Sequence, residues 1–118
     1  MSYFDGYILA VPKDKKQAYI ELAKTSAQIF IDYGSIRVLE TWGDDIPRGQ
    51  VTDFFMAVKA EEHEGIVLSY VEWPDKATRD IGFEKVMSDP RCPPFETMPF
   101  NTKTMIFGGF ESICDVKA

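Results

Sequence analysis

One histidine and two cysteines supply all the imidazole and thiol chemistry in these 118 residues. His63 sits in the polar stretch "KAEEHEG", which reads as a solvent-exposed turn. A zinc site, a haem ligand, a cysteine–histidine dyad or a catalytic triad would each have to recruit it from that segment, so none is expected. Cys92 and Cys114 lack CxxC spacing and read as a free, reduced pair. No metal and no cofactor are expected. The double glycine of "FGGF" (107–110) falls inside an apolar strand pattern and matches no nucleotide fingerprint. No apolar run approaches the roughly 18–20 residues that span a bilayer. The opening "MSYFDGYILAVPKDKK" has no basic flank, which argues against a secretory signal and for a cytoplasmic protein without membrane attachment. Basic excess is missing too: 19 acids outweigh 13 bases, for a net charge of −6. Nucleic-acid binding needs a basic stripe, and the short group Lys13, Lys15 and Lys16 is broken by Asp14.

What is present is apolar and patterned. Hydrophobic residues make up 45% of the chain, enough for one compact core, so residues 1–118 are expected to form a single domain. Tyr3–Pro12 reads as a strand stopped by proline. Asp14 and Gln17 have capping-box spacing ahead of a helix over 14–33. Tyr19, Leu22, Ser26, Ile29 or Phe30, and Tyr33 form its apolar stripe, and Gly34 supplies a left-handed stop. Ser35–Trp42 alternates as a second strand. Asp53–Ala60 reads as a short strand or, in preference, one helical turn capped by Asp53, and Ile66–Trp73 is a strand. "PDKATRDIGFEKVMSD" opens like a helix, with Ala77, Ile81 and Met87 as its expected core stripe beside Phe83 and Val86. Gly82 inside it implies close packing. A last strand lies within Thr102–Val116, where Gly108 and Gly109 suggest a bulge or a close backbone approach.

The order is β-α-β, an elaborated connection, then β-α-β. This is an α+β chain of ferredoxin-like βαββαβ type, with four antiparallel strands and two helices on one face. The strands are apolar on both sides: Tyr7, Leu9 and Val11 oppose Phe4, Ile8 and Ala10, while Leu68 and Tyr70 oppose Val67, Val71 and Trp73. A sheet with one wet face alternates more cleanly. Two helices bury one face, so a homodimer packed sheet to sheet is expected to bury the other.

Several segments carry a resemblance: "DGYILAVPKDK", "ETWGDDIPRGQVTDF…AVKA", "VEWPDKATRD…KVMSDPR" and "MPF…KTMIFGGFE". Together, over nearly the whole chain, they resemble the YbaA-like family of uncharacterised bacterial proteins, in the dimeric α/β-barrel superfamily. The resemblance implies a ferredoxin-like protomer and a homodimer, a dimeric α/β barrel, but no activity and no catalytic residues. The superfamily includes cofactor-free monooxygenases, haem-degrading enzymes, isomerases, dehydratases and ligand sensors. They commonly hold a ligand between helices and sheet or near the dimer interface.

Among individual residues, Asp44, Asp45 and Asp53 in "LETWGDDIPRGQVTD" could serve as a general base or an oxygen-rich cation site. They read better as turn and cap residues, with at least one of the adjacent pair bonded to an amide or an arginine. Trp42, Tyr70 and Trp73, with Tyr7, could line a pocket for a planar ligand or fill core and interface. Arg91 is the arginine best placed for an anionic ligand, Arg79 reads as a surface ion pair with Asp80, and Met98–Phe100 as a seal over the core or a lid that closes a pocket. The candidate ligand-binding set is therefore Trp42, Asp44, Asp45, Tyr70, Trp73 and Arg91. Two functions remain open: a dimeric small-molecule-binding or stress-associated accessory protein, or a cofactor-independent enzyme acting on a small aromatic or lipophilic compound. An internal pocket lined by Trp or Tyr with a buried, pKa-shifted acid favours the enzyme, and a sealed interior favours the binding protein.

Overall fold

Pro12 ends strand β1, Tyr3–Pro12, in the computed structural model, which describes residues 1–118. A 3-10 turn over Lys13–Lys15 leads into helix α1, Lys16–Asp32. Asp14 lies inside that turn, so the expected capping box is not made and no side chain caps α1. Gly34 ends the helix region at φ +108°, a conformation that other residues adopt only with strain. Strand β2 then runs Arg37–Trp42, two residues shorter than its pattern suggested.

The short helix α2, Phe54–Ala57, is capped by Asp53, whose carboxylate accepts from the Met56 amide at 2.7 Å. Strand β3 spans Glu64–Trp73, and α3 spans Lys76–Ser88, capped by Asp75 through the Thr78 amide at 2.7 Å. Strand β4 is only Ile106–Glu111, much shorter than the apolar stretch around it. It carries no bulge, because Gly6 pairs with Gly108 and Asp5 with Gly109 in unbroken register. The close approach is real: a side chain on Gly109 would strike the Tyr3 ring.

The strands form one antiparallel sheet in the order β2-β3-β1-β4, compatible with the ferredoxin-like arrangement. Odd-numbered residues of β1 and β3 face α1 and α3, where Leu9, Val11, Tyr19 and Val67 form one buried cluster. The face of α3 differs from the expected stripe. Ile81 and Met87 are exposed, and Gly82 and Val86 are buried instead. Two contacts turn it. Gly82 lies against the Trp73 ring and the Tyr33 carbonyl, and Arg79 reaches inward to Asp5.

Arg79 makes the expected ion pair with Asp80, and its inward reach adds a second, buried partner. Its guanidinium bonds Asp80 at 2.9 Å and also grips Asp5 at 2.8–3.2 Å, while the Trp73 indole donates to the same Asp5 at 2.9 Å. Asp5 is 3% exposed, so this ion pair and indole bond offset the cost of burying a carboxylate.

The second face of the sheet is covered only at one end, and by this chain itself. Ala10 and Ile66 bury there against Val58, with Ile46, Phe55 and Ala60 packed around them. The connection between β2 and β3 therefore does part of the work assigned to a partner. The remainder of the face leaves Leu68, Ile106 and Phe110 exposed.

Candidate functional site

Register across the sheet assembles the site. Glu40 of β2 pairs with Ser69 of β3, Ser69 pairs with Tyr7 of β1, and Tyr7 pairs with Phe107 of β4. All four lie on one rung and face the helices. Above it is a cavity of about 310 Å³, walled by the α1 residues Tyr19, Leu22, Ser26, Ile29 and Phe30. Met87, Cys92, Phe95, Met98, Phe100 and Met105 complete its lining, so Met98 and Phe100 wall a pocket rather than seal the core. Phe100 meets Tyr19 and Phe95 edge-on at about 6 Å.

The polar groups in this apolar space are few. The Tyr19 hydroxyl donates to Glu40 Oε1 at 2.6 Å. Glu40 stands on an edge strand and is exposed as a residue, while it also lines the apolar cavity. Desolvation raises its pKa above the ordinary carboxylate value, against the opposing effect of hydrogen bonds from Tyr19 and Ser69. Desolvation also raises Tyr7 and Tyr19, with the charges of Asp5 and Glu40 respectively adding to it, so both phenols stay protonated. Tyr7 stacks on Phe107 at 6.2 Å, and no protein group hydrogen-bonds its hydroxyl. A second hollow of about 370 Å³ runs between α1 and β2 past Lys16, Lys24 and Trp42. Tyr19, Ala23 and Glu40 line both spaces, so the Tyr19–Glu40 pair forms the partition between them.

Of the six candidate residues only Trp42 and Asp44 are brought together, in a hollow of about 220 Å³ that Arg48 also lines. Trp73 is fully buried in the core, edge-on to Phe30. Tyr70 is on the opposite sheet face, edge-on to Phe4. Trp42 lines the hollow beside α1, with the Lys16 ammonium 5.1 Å from its ring. Arg91 is engaged on three sides, by Asp89 at 3.0 Å twice and by Asp32 at 2.8 Å. Asp44 and Asp45 are exposed, and neither makes the expected hydrogen bond or ion pair. The loop is held instead by Asp53, which also accepts from the Gly49 amide at 3.0 Å. No group of three or more His, Cys, Asp or Glu is arranged to hold a metal ion.

Sequence reasoning missed Glu40, Tyr19 and Ser69 as site residues. The signal was a lone carboxylate between Val38 and Trp42, on the inward side of an alternating strand.

These features define a class: an α+β chain with a four-stranded antiparallel sheet, three helices and an apolar cavity between helices and sheet. Residues 2–102 match the family described as "Protein of unknown function (DUF1428)", and the chain belongs to it. It is similar to "Uncharacterized protein YbaA" of Escherichia coli strain K12, with 54% identity over 116 residues, covering 98% of this chain and 99% of that one. The same figures hold for the protein of that name in Shigella flexneri. Among solved structures, Rv0793 from Mycobacterium tuberculosis aligns with TM-score 0.52 at 8% identity, over 99% of this chain and 100% of the other, a likeness of fold alone. No helix is long and apolar enough to cross a membrane.

Proposed function

We propose that this protein is a cofactor-independent enzyme that binds a small aromatic or lipophilic compound between helices and sheet and moves protons on it with Glu40. The observation that carries this reading is Glu40 itself, a carboxyl with a raised pKa at the edge of a tyrosine-lined, otherwise apolar cavity. A perturbed acid in a cleft is what proton transfer near neutral pH requires. The protein works as a homodimer through the open sheet face, a reading supported by the exposed Leu68, Ile106 and Phe110. A cytoplasmic location suits its two free cysteines.

Native mass spectrometry of freshly purified protein tests this. The expected species is twice the 13.4 kDa chain with a small apolar compound retained. Returning that compound to wild type and to Glu40→Gln should give conversion by wild type alone. Binding by both with conversion by neither would make the protein a carrier or accessory factor instead.

A further inference from the structure

The rung beneath the cavity has a directional layout. Glu40, bonded to Tyr19, stands at one end, and Tyr7, whose hydroxyl has no protein partner, is carried two strands away. Neighbouring strands are about 4.8 Å apart, so the two backbones are separated by roughly 10 Å. Ser69 between them has a short side chain and leaves the middle of the rung open. No lysine or arginine lines this cavity. A carboxylate or phosphate entering it would lose water without gaining a cation, which disfavours its binding. A neutral molecule with one hydrogen-bond acceptor suffers no such loss and satisfies Tyr7, which desolvation keeps protonated as a donor.

We infer, on the basis of the function proposed above, that the substrate is a neutral, largely apolar carbonyl compound lying across Ser69, with its oxygen on the Tyr7 hydroxyl and its α-carbon facing Glu40. The Glu40 carboxylate takes the α-hydrogen as a proton. The C–H electron pair becomes the C=C bond of the enolate, and the carbonyl π pair moves to the oxygen held by Tyr7. Replacement of the proton on Glu40 by one from solvent, then its delivery to the same carbon, gives exchange. In a substrate with a C=C next to the α-carbon, delivery to the far carbon of the dienolate gives an isomer. Neither outcome needs an oxidant, a reductant or a co-reactant. Tyr19 positions the carboxylate through its 2.6 Å hydrogen bond.

Three matched bicyclic probes separate the parts: 1-indanone, the hydrocarbon indane and indane-1-carboxylate. Binding is followed by amide shifts of Ala23, Ser69 and Val71, and turnover by deuterium uptake at the 1-indanone α-carbon in D2O. Wild type should bind 1-indanone and indane, exclude the carboxylate, and accelerate exchange above the buffer rate. Tyr7→Phe should weaken 1-indanone roughly five- to tenfold, the worth of one hydrogen bond, and leave indane unchanged. Glu40→Gln should bind 1-indanone and lose the exchange. Carboxylate binding as tight as the ketone, or equal weakening of indane and 1-indanone by Tyr7→Phe, overturns the carbonyl assignment while the cavity reading survives. Ketone binding without exchange in wild type overturns the role of Glu40 toward carbonyl compounds. If neither indane nor 1-indanone shifts these amides, the cavity reading falls with it.

Discussion

At Asp53 one carboxylate ties two pieces of chain together, accepting from Gly49 and Met56, and these bonds lower its pKa. Asp53→Ala is therefore expected to lower the melting temperature by about 2–6 °C, as lost caps do. Asp44→Ala and Asp45→Ala should leave it nearly unchanged, and a larger loss from either would contradict the loop described. Asp5→Ala strands Arg79 and the Trp73 indole and is expected to cost about 2–4 kcal/mol in urea unfolding. Glu40 behaves in the opposite sense. Its folded pKa lies above the ordinary 4.5, so the folded state keeps the proton where the unfolded chain releases it. The stability it contributes is full below about 4.5 and is lost as pH rises through the raised value. Glu40→Gln should thus match wild type near pH 4 and exceed it near pH 8, a trend that urea midpoints at the two pH values would establish or refute. Local chemistry of the Asp53 kind was legible from the sequence, since a cap needs only its neighbours. Asp5 and Glu40 were not, because each draws its meaning from a partner 74 or 21 residues away.

Among the elements, α3 is placed by a glycine rather than by its largest apolar residues. A methyl at Gly82 would sit 2.5 Å from both the Trp73 ring and the Tyr33 carbonyl oxygen. Alanine gains about 1 kcal/mol of helix propensity, but overpacking of this kind costs more, so Gly82→Ala is expected to lose about 1–2 kcal/mol net. An unchanged or raised urea midpoint would mean that α3 can shift away from Trp73. The existence and order of the long elements were readable because period-2 and period-3.6 patterns are local. The inward face of α3 was not, because Ile81 and Met87 look like core until Arg79 is known to reach Asp5. The termini of β4 escaped for a related reason: apolar residues continue past Glu111, but Ile113 and Val116 lie exposed beyond the ladder.

For the molecule as a whole, the sheet divides labour between its faces, with the cavity on one and an incompletely covered apolar surface on the other. A charge at its centre separates assembly from folding. Leu68→Asp, at a position 48% exposed in the isolated chain, should leave the circular-dichroism spectrum intact and shift sedimentation from the dimer to a species near 13.4 kDa. Wild type already sedimenting at that mass would reject the dimer. The apolarity of both faces was visible in the sequence, whereas coverage of one end by residues 46–60 depends on how the long connection folds back. The shared rung of Glu40, Ser69, Tyr7 and Phe107 also sets how this chain tolerates change in length. Strand side chains alternate with a period of two, so deleting one residue between Val67 and Tyr70 would exchange the faces of half of β3. Ser69 would leave the cavity, and an outward-facing residue would take its place. Residues added among 43–52, by contrast, leave every pair of that rung aligned. The strands that carry the rung can thus vary in composition but not in count, whereas a change of length in this loop spares the rung itself.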